Sequence, residues 1–342
     1  MRWMIMLTPQ NTVLVTGGAG YIGSHAVLAL QKGGYQPIIL DNLSSGNRDV
    51  VEDILQAKLI IGDINDRSLL KQVFSTYSFT AVMHFAASID VGESVSYPEK
   101  YYQNNVSGSL NLLEATISAN VKNFIFSSTS AIYGNPDRIP IYEEDTPNPI
   151  SPYARSKLMV EQILRDFDIS HKLKSVCFRY FNAAGADPSG LIGEDRPSET
   201  HLIPLLLLTA MKKRDSISLF GTDYETHDGT CIRDYIHVAD IASAHVLGME
   251  YLMQGGESQI FNLGNGNGFS VREIIEAAKC VTQQEIFVHE TQRRQGDTPI
   301  LVGSSIKAEE ILGWSPKYVN IEQIIAHSWN WHQKRFNFQS KL

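Results

Sequence analysis

The chain has 342 residues, 43% of them hydrophobic and 19% charged, so it is long enough for two packed domains and too apolar for a disordered chain. The net charge of −8, without a block of lysine or arginine, argues against binding to nucleic acid or to an anionic membrane. The three widely spaced cysteines, Cys177, Cys231 and Cys280, fit neither a disulfide framework nor a metal site, and they favour a cytoplasmic location.

The N-terminal segment is the first feature along the chain. Its apolar run is too short for a signal peptide, is interrupted by Thr8 and Pro9 and is followed by no small-residue cleavage site, so we expect residues 1–10 to be a loose extension. Further along, no apolar run reaches the roughly 18 residues that a membrane-spanning helix needs. We therefore expect no membrane partner.

The first 180 residues alternate between apolar strands and helices. A strand at 13–15 leads into a glycine-rich turn and a helix over 22–30. The pattern then predicts strands at 35–40, 59–61, 81–85, 124–126 and 175–179, with helices at 67–77, 98–120 and 153–171. Such alternation predicts an α/β fold, a doubly wound, Rossmann-like parallel sheet that binds ligands beyond the carboxyl ends of its strands.

The alternation loosens after residue 181, where proline, glycine and charge increase. Helices are predicted at 201–213, 238–254, 270–280, 305–312 and 321–334. Ser270 with Glu273 forms the pattern of a capping box, and Gly313 stands where a helix C-cap glycine belongs. We expect a dinucleotide-binding domain over 1–180 and a smaller mixed α/β substrate lobe over 181–342, with about 233–264 returning to pack on the first domain.

The glycine-rich turn predicts a dinucleotide site. Gly17, Gly20 and Gly23 are spaced by three residues between a strand and a helix, and acidic Asp41 closes the next strand 18 residues after Gly23. Helix N-terminal N–H groups favour an anion, and glycine lets the backbone approach a pyrophosphate closely. The alternative is an ordinary glycine-rich β-turn.

A tyrosine and a lysine provide a candidate acid–base pair. Tyr153 and Lys157 are four residues apart and share one face of a predicted helix. A neighbouring ammonium lowers the pKa of a phenol, which can then exchange a proton near neutral pH. The hydroxyl cluster 127–130 ends the preceding strand, where Thr129 can bond the same substrate oxygen. The alternatives are a chance pair and ordinary strand-end hydroxyls.

These features together resemble the extended short-chain dehydrogenase/reductase family, and longer segments resemble its UDP-glucose 4-epimerases from about residue 12 to 331. The supporting segments are 84–87, 91–94, 104–106, 121–128, 151–153, 179–182, 229–238 and 293–297. The glycine loop and the Tyr/Lys pair are shared by the whole family, whereas 229–237 and 293–297 are more specific. Two departures are Ile89, where some members have lysine, and Thr129, where many have serine.

The resemblance implies an isomerase that interconverts UDP-glucose and UDP-galactose through reversible oxidation at C4, with tightly bound NAD. It implies Tyr153, Lys157 and Thr129 as catalytic residues. Implied cofactor contacts are Gly17, Gly20, Tyr21, Ile22, Gly23, Asp41, Asn42, Asp63, Ile64, Phe85, Ala86, Asn104, Lys157 and Phe181. Implied UDP-sugar contacts are Thr129, Tyr153, Asn182, His201, Leu202, Phe220, Arg233, Arg294, Asp297 and Leu301. It also implies a homodimer that pairs the helices at 105–119 and 153–167.

Several alternatives stay open. The chain resembles related UDP-N-acetylglucosamine or UDP-uronate 4-epimerases, and less closely a 4,6-dehydratase, which needs an Asp–Glu pair where Ser130 and Ala131 stand. A non-catalytic NAD-binding sensor belongs to a different class and is expected to lack the Tyr/Lys pair. Bulky Leu301 favours sugars without an N-acetyl group unless it is an ordinary core residue. Purely structural alternatives to substrate binding are a helix cap for His201, core packing for Phe220, and surface ion pairs for Arg233 and Arg294.

Overall fold

The computed structural model describes residues 11–196, 198–294 and 297–339, so the predicted extension at 1–10 lies outside it. The chain divides into two compact units. Unit one comprises Met1–Ser128, Pro149–Phe178 and His245–Ile260, and unit two comprises Thr129–Asn148, Arg179–Ala244 and Phe261–Leu342. Each unit is thus built from segments that are distant in sequence.

The helices and strands follow the chain in this order. The strands are β1 (Thr12–Thr16), β2 (Gln36–Asp41), β3 (Lys58–Ile61), β4 (Ala81–His84), β5 (Asn123–Ser127), β6 (Lys174–Tyr180), β7 (Asn182–Ala184), β8 (Ile217–Phe220), β9 (Ile232–His237), β10 (Gln259–Leu263), β11 (Gly268–Ser270), β12 (Val288–Thr291) and β13 (Ile300–Leu301). The α-helices are α1 (Tyr21–Lys32), α2 (Arg67–Thr76), α3 (Val91–Ser96), α4 (Pro98–Tyr101), α5 (Gly108–Ser118), α6 (Pro152–His171), α7 (Leu202–Ala210), α8 (Val238–Met253), α9 (Val271–Thr282), α10 (Ile306–Leu312) and α11 (Ile321–Gln339). Every described helix is too short or too polar to cross a bilayer.

A seven-stranded sheet carries unit one and confirms the predicted Rossmann-like fold. Its strand order is β10-β6-β5-β4-β1-β2-β3, and the pairs from β3 to β6 are parallel. The order reverses between β1 and β4, because the chain moves outward to β3 and then crosses back. A dinucleotide binds at such a switch point, beyond the carboxyl ends of the strands.

The core of unit one explains why the apolar runs become strands. Val13, Leu14 and Val15 of β1 are all 0% exposed, as expected for a central strand covered on both faces. Leu14 belongs to a cluster with Val82, Phe124 and Leu164, which lie on two further strands and on α6. One hydrophobic layer therefore fixes α6 against the sheet.

Unit two contains smaller sheets. Strand β9 pairs with β11 antiparallel and with β13 and β7 in parallel, while β8 pairs with β12. Its core gathers side chains from α7, α9 and α11, among them Leu206, Ile274 and Ile324. The strands β7, β8, β9, β10, β11, β12 and β13 were not predicted, because the regular alternation of apolar strands and helices is lost after residue 181.

The two predicted helix signals are confirmed, and α6 has an N-cap as well. Ser270 and Glu273 form a complete capping box at α9. Gly313 follows α10 in the left-handed conformation, with φ 63°. At α6, the Ser151 hydroxyl accepts a hydrogen bond from the Ala154 N–H at 3.2 Å.

The helix predicted over 98–120 is wrong as a single α-helix. Between α4 and α5 the backbone takes π-helical turns at Tyr102–Ser107. A π turn holds more residues than an α turn, which changes the direction in which the next side chains point. It brings Asn105 into the interior, where only 2% of the residue is exposed.

Candidate active site

The glycine loop in unit one is too tightly folded for larger residues. Gly17 has φ +73°, and a Cβ atom there would lie 2.5 Å from the backbone nitrogen of Ala86. At Gly23 a Cβ atom would lie 2.1 Å from the Gly17 carbonyl oxygen. The loop and the first turn of α1 are therefore in direct backbone contact, which only glycine at these positions permits.

The N-terminus of α1 fits an anionic group. Gly20 is the N-cap and has no side chain to cap the helix, and the first turn contains no acidic residue. The first N–H groups of this helix, those of Tyr21 and Ile22, belong to its first turn and point towards its N-terminal end. Together with the helix dipole, they suit a pyrophosphate.

Asp41 ends β2 beside this loop. Its two carboxylate oxygens accept hydrogen bonds from the Ala19 N–H at 2.9 Å and from the Leu43 N–H at 2.8 Å. Burial raises the pKa of Asp41, although these two hydrogen bonds oppose the effect. The carboxylate is thus held in one orientation where a dinucleotide ribose is expected.

The predicted adenine contacts lie at the end of the neighbouring strand. Asp63 follows β3 and accepts hydrogen bonds from Asn42 Nδ2 at 2.8 Å and from the Asn65 N–H at 2.8 Å. Burial acts to raise the pKa of Asp63, but the hydrogen bonds outweigh it and hold the pKa below its usual value. Ile64 is 4% exposed and packs in the core of unit one.

His84 is a buried structural residue at the end of β4. Ser109 Oγ donates to the Asn105 carbonyl oxygen, so it accepts from His84 Nε2 at 2.8 Å, and Thr16 Oγ1 lies 2.7 Å from Nδ1. Burial, helped by the charge of Lys157, lowers the pKa of His84 to about 3. Its neutral ring therefore links β1 and β4 to α5.

Asn105 organises the loop that follows β4. Its amide oxygen accepts from the Ser88 N–H at 2.8 Å, and its Nδ2 donates to the Ser88 carbonyl at 2.9 Å and to Ser156 Oγ at 3.0 Å. Asn104, a predicted cofactor residue, donates to the same Asn105 oxygen at 3.0 Å. The loop beyond Phe85 and Ala86 is therefore linked to α6 through Asn105.

The Tyr/Lys pair lies at the start of α6. Tyr153 is half-buried one helical turn before Lys157, which is 3% exposed. Lys157 Nζ donates to the Ser127 carbonyl oxygen at 2.7 Å and lies 4.9 Å from the centre of the Phe126 ring. Burial lowers the pKa of Lys157 to about 7, while Glu161 acts in the opposite direction. A phenol beside this ammonium is suited to proton transfer near neutral pH.

Thr129 and Phe181 belong to unit two. Thr129 is 7% exposed and caps the 3₁₀ turn Ser130–Tyr133, where its Oγ1 accepts from the Ala131 N–H at 3.1 Å. A hydroxyl that accepts this bond keeps its own proton for donation. Phe181 packs so closely on Gly303 that a Cβ atom there would lie 2.1 Å from the ring.

Arg233 lies on β9 of unit two. Its guanidinium donates to the Ile232 carbonyl oxygen at 2.9 Å, and Nη2 is 3.9 Å from Asp297 Oδ1. Leu301 pairs in register with Arg233 across the parallel strands β13 and β9, so the two side chains are neighbours. Leu301 is only half-buried, unlike the adjacent Val302, which is 6% exposed.

A second arginine stacks on an aromatic ring in the same unit. Arg294 places its guanidinium carbon 3.8 Å from the centre of the Phe220 ring, at the end of β8. Phe220 is half-buried, and its face is covered by a cation. Residues 295 and 296 of the motif 293–297 lie outside the described residues. Asn182 is exposed and donates through Nδ2 to the Asp234 carbonyl oxygen at 3.0 Å.

His201 directly precedes α7, which begins at Leu202. It occupies the N-cap position, but its side chain makes no capping hydrogen bond, so the alternative of a side-chain cap is wrong. Instead its Nδ1 lies 2.7 Å from Glu194 Oε1. Desolvation acts to lower the pKa of His201, but the carboxylate of Glu194 outweighs it and raises the pKa.

The same cluster has the composition of a metal site. Ligand atoms of Glu194, Glu199 and His201 lie within 4.8 Å of one another. However, Arg196 Nε is 2.9 Å from the Glu194 oxygen that also meets His201. The guanidinium already supplies the positive charge that a metal ion would bring, so we assign no metal here.

Comparison with known proteins decides the family. Residues 13–264 match the model of the family described as "NAD dependent epimerase/dehydratase family". The chain belongs to this family. Its match covers the glycine loop, Asp41, the Tyr/Lys pair and Arg233, so the predicted recognition and the NAD cofactor are confirmed.

Three relatives show where the chain lies within the NAD dependent epimerase/dehydratase family. The UDP-glucose 4-epimerase of Halalkalibacterium halodurans is 50% identical over 322 residues, which is 94% of this chain and 96% of that protein. The UDP-glucose 4-epimerase from Brucella ovis, solved in complex with NAD, has 45% identity and a TM-score of 0.90, with 94% of this chain and 98% of that chain covered. The enzyme from Bifidobacterium longum, solved with NAD+ and UDP, has 38% identity and a TM-score of 0.90, with 96% of this chain and 99% of that chain covered.

Three residues near the site were missed by the sequence analysis. Asn105, Glu161 and Glu194 are all buried polar residues. Asn105 and Glu161 bond to segments distant in sequence, and Glu194, which lies in irregular backbone, bonds to the His201 side chain. In the sequence alone, these residues have the pattern of ordinary polar positions of a helix or loop. Only Glu161 carried a signal, because it follows Lys157 by four residues and thus shares its helix face.

Proposed function

We propose that the protein is an NAD-dependent UDP-glucose 4-epimerase, which interconverts UDP-glucose and UDP-galactose at C4 of the sugar. The observation that carries the proposal is the buried Lys157 one turn beyond Tyr153, in the same unit as a loop built for a dinucleotide. The H. halodurans relative, identical at half of the aligned positions over nearly the whole chain, supports this choice of substrate.

The cofactor is held by residues of unit one. The N–H groups at the start of α1 bind the pyrophosphate, and Asp41 binds the adenosine ribose. A carboxylate at that position repels a 2′-phosphate, which favours NAD over NADP. Bound NAD supplies the acceptor and donor of the C4 hydride, so the reaction has no net redox change.

Tyr153 moves the proton. Its phenolate accepts the proton of the sugar 4-hydroxyl during oxidation and returns it during reduction. Lys157 stabilises the phenolate with its ammonium charge and keeps its place through the bond to the Ser127 carbonyl. Thr129 offers its hydroxyl proton to the sugar 4-oxygen.

Residues of unit two anchor the UDP. Arg233 and Arg294 form charge-assisted hydrogen bonds with the diphosphate, and the Phe220 ring orients the Arg294 guanidinium. The remaining contacts are Asn182, His201, Leu202 and Asp297. Because the anchor holds the nucleotide, the 4-keto sugar is free to turn and present its opposite face.

Leu301 sets the sugar range in this proposal. It is half-buried and lies beside Arg233 on the adjacent strand, so it is not an ordinary residue of the fully buried core. A bulky side chain at that place leaves less room for a 2-N-acetyl group. We therefore propose that UDP-glucose and UDP-galactose are preferred over their N-acetyl forms.

We also propose a homodimer formed through α5 and α6. Their inner faces already cover the sheet, because Leu112, Leu113, Val160 and Leu164 lie in the core of unit one. Met159 on α6 is nevertheless 40% exposed, which leaves apolar surface for a second copy. Light scattering at micromolar concentration gives twice the chain mass if the pairing is right. The cytoplasmic location stays a prediction from the cysteine pattern.

The activity is tested with purified protein and UDP-galactose, without added NAD. We expect UDP-glucose to accumulate until both sugars reach equilibrium, with no net reduction of the bound cofactor. The Tyr153→Phe variant is the control for contaminating enzymes. Failure to form UDP-glucose, or consumption of one NAD per turnover, contradicts the proposal.

A further inference from the structure

A buried carboxylate lies next to the Tyr/Lys pair. Glu161 is 5% exposed and follows Lys157 by one turn of α6. Among the described residues of unit one, Asp41 and Glu161 are the only carboxylates this deeply buried. Asp41 is explained by its place in the nucleotide site, whereas Glu161 has no role in the mechanism so far.

Glu161 and Lys157 hold two consecutive residues at the end of β5. Ser128 Oγ donates to Glu161 Oε1 at 2.5 Å, and Lys157 Nζ donates to the Ser127 carbonyl oxygen at 2.7 Å. Two residues one helical turn apart thus form hydrogen bonds with the last residue of β5 and with the residue that follows it. These two hydrogen bonds fix the orientation of α6 about its axis and its distance from the sheet, and so they fix the position of Lys157.

The surroundings of Lys157 make the charge of Glu161 matter. Burial lowers the pKa of Lys157 to about 7, and Glu161 is the group that opposes this effect. On the sheet side the lysine faces the Phe126 ring and His84, which is neutral because its pKa is about 3. Without a buried anion, the lysine would therefore lose its proton at a lower pH.

Other charges near α6 are exposed or already paired. On the helices packed against it, Glu93 bonds Lys100 at 2.7 Å and Glu114 bonds Arg67 at 3.1 Å. Asp90 and Glu99 on that side are exposed. On α6 itself, Arg155, Arg165 and Asp166 are exposed. Water screens such groups strongly, so Glu161 exerts the main charge effect on Lys157.

We propose that Glu161 is a positioning residue for the epimerase reaction, which keeps Lys157 charged and in place and so keeps Tyr153 acidic. This inference rests on the proposed function. Tyr153 is one turn from Lys157 and two turns from Glu161, so the ammonium affects it more than the distant carboxylate does. Removal of the Glu161 charge thus makes Tyr153 a weaker acid.

The test is the pH dependence of turnover in Glu161→Gln, which keeps a hydrogen-bond acceptor for Ser128 but removes the charge. We expect the acid limb of the kcat profile to move to higher pH by about one unit, which lowers kcat about tenfold below the midpoint. The KM for UDP-galactose and the content of bound NAD stay unchanged. Asp166→Asn, an exposed change on the same helix, leaves the profile unchanged.

Two further measurements complete the test. Ultraviolet difference titration of the Tyr153 phenolate, with Tyr153→Phe as the blank, reports the same shift without turnover; it separates failure of this inference from failure of the proposed activity. If Glu161→Gln does not fold, Glu161→Asp decides, because it keeps the charge but withdraws it by one methylene group and is expected to shift the limb partway. An acid limb and a phenolate titration equal to wild type in the folded variant overturn the proposal.

Discussion

The glycine loop allows a sharp test of cofactor binding through the substitution Gly23→Ala. The new Cβ atom would lie 2.1 Å from the Gly17 carbonyl oxygen, so loop and helix must separate by about 1 Å. The N–H groups of Tyr21 and Ile22 then move away from the pyrophosphate. A hydrogen bond to a charged group contributes about 1.5–3 kcal/mol, so loss of one weakens NAD binding about 10- to 150-fold and loss of both about 10²- to 10⁴-fold.

The assay is the amount of NAD that stays with the protein through gel filtration, followed by titration of NAD into the stripped protein. Gly92→Ala is the matched control, because its Cβ atom would be 3.4 Å from an Asp90 side-chain oxygen, an ordinary contact. Both variants should keep the circular dichroism of the wild type. A folded Gly23→Ala protein that retains one tightly bound NAD refutes the reasoning.

Three further predictions concern turnover, acid stability and specificity. Tyr153→Phe lowers kcat by about 10²- to 10⁴-fold and leaves UDP affinity unchanged by calorimetry; near wild-type turnover contradicts the acid–base role. Burial lowers the pKa of His84 to about 3, against about 6.5 in an unfolded chain. The neutral His84 ring therefore contributes fully to the stability of the folded state above pH 6.5, and this contribution is lost as the pH falls towards 3. In denaturant unfolding, the free energy of unfolding should fall between pH 7 and pH 5 by about 2 kcal/mol less in His84→Asn than in the wild type. The exposed control His289→Asn should show the full wild-type fall. An equal fall in both variants rejects this prediction. Leu301→Ser raises kcat/KM for UDP-N-acetylglucosamine about 10- to 200-fold relative to UDP-glucose, and an unchanged ratio shows that another residue limits the pocket.

The nucleotide-binding half of the molecule was predictable from the sequence because its signals are local. Strand, glycine turn, helix and Asp41 follow one another within 31 residues, and each has a periodic or stereochemical signature. The observed β1, α1 and β2 differ from the predicted bounds by one or two residues. The Tyr/Lys spacing was equally local, since four residues on a helix fix a shared face.

The remaining features depend on contacts between distant segments. The partners of Asn105, at Ser88 and Ser156, are 17 and 51 residues away. His201 was weighed as a helix cap, yet its partner Glu194 lies in irregular backbone that carries no periodic pattern. The burial that lowers the pKa of Lys157 is likewise a property of the assembled core, which no spacing in the sequence records.

The π-helical segment Tyr102–Ser107 has a consequence for how this region tolerates insertions and deletions. Successive residues of an α-helix are offset by about 100° around the axis, so one residue more or less turns everything beyond it. Asn105 must face Ser88 and Ser156, while Leu112 and Leu113 further along must face the core. The wide π turn allows both orientations. After deletion of one residue here, either the hydrogen bonds of Asn105 or the core contacts of Leu112 and Leu113 would be lost. The chain length between Tyr101 and Gly108 is therefore as strictly constrained as the identity of any residue in the site.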